Sequence, residues 1–487
     1  MYMNIMTGKI TLFILIFFLC GVFLFAESEG ENLTIKIAVV GPGDAVYFWW
    51  GHIALIVEDA QTGRSDFYDY GIFSFENENF YYNFAFGRLL YSSGVSGTGE
   101  NIEYAVDRNR SVVIYTLDLP PETRVKVKDF VEHNVLPENS DYFYHHFRDN
   151  CSTRIRDIID YAVDGQLKEQ YANTQGKFTL RQHVRSHTWF SPAVDWILNF
   201  WMGQVIDTPI TIWDDMFLPS EVGKVIQDFW YTDANGEKRR LVSDDPSSIN
   251  IINTAKGRPE VLKEPRKQWP YEFVFSLVLS AIFCLFFFMH SKKIRAGKIL
   301  AGFSMSLCAL VFGLAGFLLY FMSIFTNHDY TFENFNMLFA SPLLIAAVPL
   351  GISYAVTKKK EKQVLYDFLL RLIWLLSVTG ILLSMIIKVF PWFYQDNITD
   401  QLLMLPIALV FTFQPVGLRA VIDKYFRGRK KSSGSSKKKS SRSSRKKSSD
   451  TLKQNSLNSS QQSLSGSSQK NSSGSPRKKS KKKKKRK

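Results

Sequence analysis

The sequence predicts an α+β domain outside the membrane, followed by a five-helix transmembrane bundle and a disordered basic tail. Segments typical of β-strands lead into an amphipathic helix within residues 27–267, and five apolar runs follow within residues 268–427. Residues 428–487 are mostly Ser and Lys with almost no apolar side chains, so they cannot form a hydrophobic core. This organisation excludes a single soluble globular domain for the 487-residue chain.

The N-terminus has the pattern of a secretory signal peptide over residues 1–26. Lys9 precedes an apolar run over residues 10–25, and Ala26 stands before the acidic residues that follow. Leu24 is larger than the small residues usual at that place before a cleavage site. An uncleaved signal anchor is therefore the alternative.

Three segments of the outer domain are rich in β-branched residues, which is typical of strands. They cover residues 33–40, 52–58 and 111–117. Each is short enough for one strand of a globular domain. We therefore expect a sheet in the first part of this domain.

The residues after Asn150 predict an amphipathic helix. Ile155 and Ile159 fall on one face, one turn apart, while Arg156 and Asp160 are spaced for an i,i+4 ion pair on the exposed face. Strands followed by such a helix indicate an α+β domain.

Five apolar runs approach or exceed the roughly 20 residues that a helix needs to cross a bilayer. They cover residues 271–290, 299–325, 337–356, 364–390 and 401–417. Lys and Arg cluster in the first and third connections and after the fifth run, whereas the second and fourth connections contain none. The positive-inside rule then predicts that residues 27–270 lie outside the cytoplasm and that the tail lies within it.

The net charge of +15 comes from the tail. From Arg427 onward there are 23 Lys and Arg residues and one acidic residue, Asp450, so the tail carries +22 and residues 1–426 carry −7. We expect the tail to lie against anionic lipid on the cytoplasmic face. Contact with RNA and a solvated tail without a partner are the alternatives, and nucleic-acid binding is not expected elsewhere in the chain.

Cys151 is the candidate nucleophile. Four cysteines are too few for a disulfide framework, and the other three lie in apolar segments. Asn150 is a good N-cap residue, so Cys151 is predicted at the N-terminus of the helix, where the helix dipole favours a thiolate. A buried structural cysteine is the alternative.

A cysteine nucleophile needs a base, which is normally a histidine. His52 differs from the other histidines of the outer domain because it opens a predicted strand directly after Gly51. In that position its ring can face a neighbouring helix. A packing role for this histidine is the alternative.

The chain resembles the Lnb-type lipoprotein N-acyltransferases of bacteria in three ordered stretches, WWGHIALIVED, DFYDYGIFSFENENFYYNFAFGRLLY and YHHFRDNCSTRIRDIID. Similar stretches follow in FTLRQHVR, GQVIDTPITIWDDMFLP and NHDYTFENFNMLFASPL, so the resemblance spans nearly all of residues 45–350. It implies a papain-like, NlpC/P60-related domain in circularly permuted order, with the catalytic histidine before the cysteine. The basic tail has no counterpart in this resemblance.

The resemblance implies catalytic roles for His52 and Cys151, the two residues already singled out by their chemistry. Asp69 is the candidate for the third catalytic group, which would orient the histidine. The alternative is that this segment serves only packing, through Tyr68 and Tyr70. Asn150 is a candidate contact for the oxyanion, together with backbone N–H groups at the start of the helix.

Four further residues are candidate substrate contacts by the same resemblance. Arg88 could contact a phosphate or carboxylate head group, with a structural salt bridge as the alternative. His328, Asn334 and Asn336 lie on the predicted outer rim of the membrane, where they could line a site of lipid access. Their alternative role is to cap a helix predicted to begin near Met337.

The resemblance implies a lipoprotein N-acyltransferase of the bacterial cytoplasmic membrane. A fatty acyl chain would pass from a phospholipid to Cys151 as a thioester, and then to the α-amine of a diacylglyceryl-cysteine lipoprotein. Transfer from a thioester to an amide is downhill, so neither a metal nor a cofactor is expected. The alternatives are a membrane-tethered Cys-His hydrolase (peptidase, amidase or phospholipase) and a non-catalytic receptor or scaffold.

Overall fold

An antiparallel sheet of seven strands forms the centre of the first half of the chain. The computed structural model describes residues 29–76 and 78–427, so the predicted signal peptide and nearly all of the basic tail lie outside the described residues. The strands are β1 (Leu33–Val40), β2 (His52–Asp59), β3 (Arg64–Ile72), β4 (Leu90–Gly97), β5 (Val112–Thr116), β6 (Asp141–Phe143), β7 (Gln175–Thr179), β8 (Pro209–Thr211), β9 (Trp230–Thr232), β10 (Lys238–Arg240) and β11 (Ile249–Asn253). The large sheet has the order β11-β5-β1-β2-β3-β4-β6, and β7 pairs with β8 and β9 with β10 in two small sheets.

Nine helices accompany the sheets in the described part of the chain before residue 268. They are α1 (Phe80–Ala85), α2 (Thr98–Asp107), α3 (Pro121–Asn134), α4 (Cys151–Ala162), α5 (Gln166–Tyr171), α6 (Leu180–Thr188), α7 (Pro192–Trp201), α8 (Ile212–Asp215) and α9 (Pro219–Asp228). Strands and helices mix within one domain, so the α+β class predicted from the sequence is confirmed.

The main core forms where α4 packs on the sheet. Ile155 and Ile159 of α4 are buried in one cluster with Ile53 and Leu55 of β2. Burial of side chains of this size contributes roughly 1.5–3 kcal/mol each, which fixes the helix against the strand. The three predicted strands and the predicted helix are thereby confirmed, and the first residue of β2 is brought close to the first residue of α4.

The predicted ion pair of Arg156 and Asp160 is wrong. Arg156 is buried, with its guanidinium 3.9 Å from the centroid of the Trp213 ring, and it donates to the Trp213 carbonyl oxygen at 3.0 Å. Its carboxylate partner is the adjacent Asp157 at 2.8 Å. The helix face that the sequence leaves exposed is covered by α8, an element that lies more than fifty residues later in the chain.

Each of the five apolar runs contains a helix. These are α10 (Trp269–Ser291), α11 (Arg295–Phe325), α12 (Leu344–Val356), α13 (Lys360–Ile387) and α14 (Ile398–Phe413), and the short α15 (Leu418–Val421) follows. Within the described residues, α10, α11 and α13 are long and apolar enough to cross a membrane, and α14 with the helical segment after it would be a fourth, bent by 63°. The 13 residues of α12 extend only about 20 Å, less than the roughly 30 Å of a hydrocarbon core.

The helix predicted to begin near Met337 begins later. A 3₁₀ turn covers Phe335–Leu338, and α12 starts only at Leu344. Pro342 lies between them, and it lacks the backbone N–H that a continuous helix through this segment would need.

One helix of the first half packs among the apolar helices of the second. Trp196 of α7 contacts Phe312 of α11, with 6.2 Å between ring centroids, and Trp201 Nε1 donates to the Ala315 carbonyl oxygen at 3.2 Å. Although α7 precedes the boundary predicted at residue 268, Phe200 is buried in the core of the apolar helices. The described residues up to Lys424 form one compact unit.

Candidate active site

Cys151 is the first residue of α4, directly after an N-cap with both halves of a capping box. Asn150 Oδ1 accepts from the Ser152 and Thr153 backbone N–H groups at 2.8 and 2.9 Å. Thr153 Oγ1 in turn accepts from the Asn150 N–H at 2.8 Å. This cap holds the half-buried Cys151 side chain at the positive end of the helix dipole.

The Asn150 side chain has no N–H left for an oxyanion. Its amide donates to the carbonyl oxygens of His146 at 2.8 Å and Phe217 at 3.0 Å, which uses both hydrogens. The backbone N–H of Cys151 belongs to the first helical turn, where no intrahelical acceptor exists, and Asn150 does not accept from it. Asn150 therefore positions the loop and the helix start, and its side chain has no free donor for a substrate.

His52 and Asp69 lie on neighbouring strands and contact each other. His52 is the first residue of β2, Asp69 lies on β3, and the distance from His52 Nε2 to Asp69 Oδ1 is 2.7 Å. Since the carboxylate occupies Nε2, Nδ1 is the ring nitrogen that remains for Cys151. The structure thus brings the three predicted residues His52, Asp69 and Cys151 together.

The pKa of His52 stands well above its ordinary value of 6.5. Burial is the largest single effect and lowers this pKa, because it penalises the charged imidazolium. The charges of Asp69 and Cys151, and hydrogen bonding to both side chains, act in the opposite direction and together outweigh burial. The ring therefore holds a proton more tightly than a free imidazole does.

Two tyrosines that the sequence analysis did not single out lie near Cys151. The pKa values of Tyr142 and Tyr144 are raised, chiefly by burial and next by the charge of Cys151. The Tyr142 hydroxyl is buried without a hydrogen-bond partner among the described residues. Their position shortly before Cys151 in YFYHHFRDNC was the available signal, but an aromatic run gives no indication of which hydroxyl lacks a partner.

An ion pair packs against the ring of Tyr142. The Arg154 guanidinium lies 4.1 Å from the centroid of the Tyr142 ring and binds both carboxylate oxygens of Asp149, at 2.5 and 2.9 Å. A planar guanidinium suits both contacts at once. The tyrosine ring is thereby fixed relative to the start of α4.

The loop before Cys151 is bound to the segment between α11 and α12. His145 Nε2 lies 2.9 Å from Asp329 Oδ1, and Arg148 Nη1 lies 3.4 Å from Asp329 Oδ2. Burial raises the pKa of Asp329, but the hydrogen bond and charge of His145 and the charge of Arg148 lower it by more. This contact joins the loop before Cys151 to the helices of the second half, and sequence reasoning missed it.

Arg88 lies in an exposed loop after α1. Its backbone N–H donates to the Asn83 carbonyl oxygen at 2.8 Å, whereas its side chain makes no ion pair within the described residues. The salt-bridge alternative is therefore not present in that part of the chain. The side chain borders a cavity of about 70 Å³ that Phe84 and Tyr91 also line.

His328 is buried where the Arg88 loop meets the segment after α11. Its Nδ1 lies 2.8 Å from Thr326 Oγ1, and burial lowers its pKa although Asp329 acts in the opposite direction. Gly87 has a φ of +68°, and a Cβ there would lie 3.0 Å from the backbone nitrogen of His328. Only glycine fits this contact without strain, so the two loops are closely packed.

Asn334 and Asn336 lie in a buried network of hydrogen bonds rather than beside Cys151. Both side-chain amides donate to the carbonyl oxygen of Phe200 at 2.9 Å, and Asn336 also donates to Asp400 Oδ2 at 3.2 Å. Asn334 Oδ1 accepts from the Asn336 backbone N–H, so it caps the 3₁₀ turn. Their amides are used within the protein, which agrees with the capping alternative.

Two family comparisons match this chain. Residues 24–186 match the Lnb N-terminal periplasmic domain, and residues 268–413 match the Lnb transmembrane domain. The chain belongs to the Lnb family. It is therefore a membrane protein with a periplasmic domain, of a family associated with lipoprotein N-acylation. No curated protein and no solved structure matches it.

The two Lnb segments divide the candidate residues between them. The periplasmic segment contains His52, Asp69, Arg88, Asn150 and Cys151, and the transmembrane segment contains His328, Asn334 and Asn336. The helix α7, which packs among the membrane helices, falls between the two segments. Within residues 29–76 and 78–427, no group of three or more His, Cys, Asp or Glu side chains is placed to hold a metal ion.

Proposed function

We propose that this Lnb-family protein moves a fatty acyl chain from a membrane phospholipid, through a thioester on Cys151, to the α-amine of a diacylglyceryl-cysteine lipoprotein. The observation that carries the proposal is the arrangement of Cys151 at a capped helix N-terminus beside His52, whose Nε2 is bound by Asp69 at 2.7 Å. This is the geometry of an activated nucleophile with an oriented base.

In the first step, the thiol proton of Cys151 moves to His52 Nδ1. The thiolate attacks the carbonyl carbon of a phospholipid ester, and a C–S bond forms as the carbonyl oxygen becomes an oxyanion. When the tetrahedral intermediate collapses, the C–O ester bond breaks and His52 returns its proton to the departing lysophospholipid oxygen. Asp69 keeps the ring oriented and stabilises the imidazolium during both transfers.

Two groups are available to stabilise the oxyanion. The backbone N–H of Cys151 has no intrahelical acceptor, and the Tyr142 hydroxyl is buried without a partner among the described residues. A single donor of this kind typically contributes about 3 kcal/mol to the transition state. Asn150 supports the site by holding the helix start rather than by donating.

In the second step, the free α-amine of the lipoprotein attacks the thioester. The C–N bond forms, the C–S bond breaks, and His52 takes the proton that the amine loses and passes it to the Cys151 sulfur. A thioester is higher in free energy than an amide, so no metal or energy cofactor is required. The reaction belongs on the outer face of the cytoplasmic membrane, with the basic tail in the cytoplasm.

The test is the mass of lipoprotein N-termini in cells that carry wild-type protein, Cys151→Ala or a Cys308→Ala control. Cys308 is a thiol of α11 outside the site, so its substitution should leave the N-terminal amide in place. Cys151→Ala should leave the amine free. Full N-acylation with Cys151→Ala would disprove the mechanism, and release of free fatty acid without acylated lipoprotein would indicate a hydrolase.

A further inference from the structure

Residues around α1 form an exposed aromatic surface. Four exposed rings lie on one segment, and the half-buried Phe80 packs among them: Phe75, Tyr81, Tyr82 and Phe84. Tyr81 is 70% exposed and Tyr82 55%. An apolar surface of this kind is unusual where a protein faces water, and it indicates a binding site.

The helix at the centre of this surface is mainly aromatic. Its sequence is FYYNFA, with Asn83 as its one polar residue other than the tyrosines, and none of its six residues is buried against the protein. A cluster of exposed rings of this kind is typical of a surface that binds an apolar partner. Much of the aromatic surface stays uncovered by the described residues.

The aromatic surface is continuous with the membrane helices. Phe86 contacts Phe321 of α11, with ring centroids 5.6 Å apart, and Phe321 contacts Phe325 at 6.1 Å. The Asn327 backbone N–H also donates to the Phe86 carbonyl oxygen at 3.0 Å. Since α11 is one of the candidate spans, the aromatic surface lies beside the C-terminal end of a helix long and apolar enough to cross a membrane.

A series of ring contacts leads from the aromatic surface to the nucleophile. The centroid of Phe80 lies 5.9 Å from that of Phe73, and Phe73 lies 5.1 Å from Tyr91. Tyr91 lies 4.5 Å from Tyr144, which is close enough to Cys151 to feel its charge. An acyl chain lying along these rings would bring its ester carbonyl toward the thiol.

Arg88 provides a charge at the edge of the same surface. Its exposed side chain has no ion-pair partner within residues 29–76 and 78–427, and it borders the 70 Å³ cavity with Phe80, Phe84 and Glu78. A free guanidinium beside apolar rings matches a lipid, which carries a phosphate next to its acyl chains. The cavity alone is too small for more than a part of the head group.

We infer that the aromatic surface is the docking site of the phospholipid donor, with Arg88 on the phosphate and the acyl chain along Phe73, Tyr91 and Tyr144. The inference rests on the proposed function for the fate of the acyl chain. The binding of lipid at this surface can be tested separately.

The binding test uses full-length Cys151→Ala protein in vesicles of phosphatidylethanolamine and phosphatidylglycerol, so that no donor is consumed. A phosphatidylethanolamine with a diazirine on its acyl chain is photolysed, and the labelled peptides are identified by mass spectrometry. We expect labels within residues 73–91 that fall at least fivefold, relative to labels on α10, with the added changes Tyr81→Ser and Phe84→Ser. A control pair, Tyr104→Ser and Trp230→Ser, removes two exposed aromatic rings elsewhere and should change nothing.

The turnover test measures acyl-Cys151 by intact-protein mass spectrometry in proteins with the wild-type thiol. Tyr81→Ser with Phe84→Ser should slow acylation from vesicle lipid about tenfold, and Arg88→Gln should slow it severalfold. Both variants should react with the water-soluble ester p-nitrophenyl acetate at the wild-type rate. Equal slowing with both donors would overturn the inference, because it would place the effect on the nucleophile itself.

The two proposals fail in different ways. Labels that are absent from residues 73–91, or that persist unchanged in the serine variant, would overturn the lipid-docking site. Labels at the expected place without any acyl-Cys151 in the wild-type protein would refute the proposed function and leave the docking site intact.

Discussion

Two sets of polar groups near the rim of the membrane helices differ in how their hydrogen-bonding capacity is used. Asn334 and Asn336 are buried, and both their amides and their carbonyl oxygens are bound by other protein groups. Around Cys151, the Tyr142 hydroxyl has no partner among the described residues, and His52 remains 25% exposed. The first set holds the protein together, whereas the second leaves a hydroxyl unbonded within the described residues and an imidazole partly exposed.

The comparison also explains why residue type alone misleads. Asn150 stands next to Cys151, yet its side chain makes four hydrogen bonds to the protein, as a structural asparagine does. Substitutions in the two sets should therefore separate catalysis from stability.

The largest effect is expected for His52→Ala. Loss of the general base should lower the rate of acyl-Cys151 formation by roughly 10²–10⁴. The rate is measured by intact-protein mass spectrometry with vesicle phospholipid, and the exposed His133→Ala provides the matched control. A rate within a factor of about three of wild type would remove His52 from the mechanism.

Tyr142→Phe should lower the same rate by about a hundredfold, because one oxyanion donor is lost while the ring stays over Arg154. Alkylation of Cys151 by iodoacetamide should stay at the wild-type rate, since that reaction forms no oxyanion. If both reactions slow together, Tyr142 acts by positioning the thiol rather than by donating to the oxyanion.

Asn336→Ala should change stability rather than chemistry. It leaves the Phe200 carbonyl oxygen, the Asp400 carboxylate and the Asn397 amide each with one partner fewer, which costs about 1–3 kcal/mol. We expect a lower midpoint of thermal unfolding in detergent, with Asn173→Ala on the exposed surface as the control. An unchanged midpoint together with a loss of acylation would instead place Asn336 in substrate binding.

The smallest effect at neutral pH is expected for Asp69→Asn, and it should appear in the pH profile. Because the pKa of His52 is raised, its imidazolium persists as the pH rises past 6.5, and acylation should decline only once the pH exceeds that raised value. Removal of the Asp69 charge lowers the pKa of His52, so the alkaline limb should move down by about one pH unit or more. A limb at the same pH in both proteins would show that Asp69 does not act on His52.

Local patterns were sufficient to predict the strand that begins with His52 and the helix that begins with Cys151. The β-branched segments at 33–40 and 52–58 and the isoleucine spacing after Asn150 are properties of neighbouring residues, and the structure has strands and a helix there. The N-cap beside Cys151 could likewise be predicted, because capping depends on residues only three positions apart.

Interactions between distant segments could not be predicted in this way. Nothing near Arg156 in the sequence indicates that Trp213 will cover it, and nothing near α7 indicates that it packs among the membrane helices. The short length of α12, 13 residues, was missed because the apolar composition continues through Pro342. A proline has no backbone N–H, so helical hydrogen bonding does not continue through that residue.

The sequence by itself therefore determined the membrane-associated α+β organisation, a cysteine at a helix start and a histidine at a strand start. Only the tertiary structure decided which polar groups remain unsatisfied. It binds His52 to Asp69, pairs the amides of Asn150, Asn334 and Asn336 with carbonyl oxygens, and leaves the Tyr142 hydroxyl without a partner in the described residues. The physical reason is that hydrogen-bond satisfaction depends on which groups meet across the fold, and residues far apart in the chain supply most of those partners.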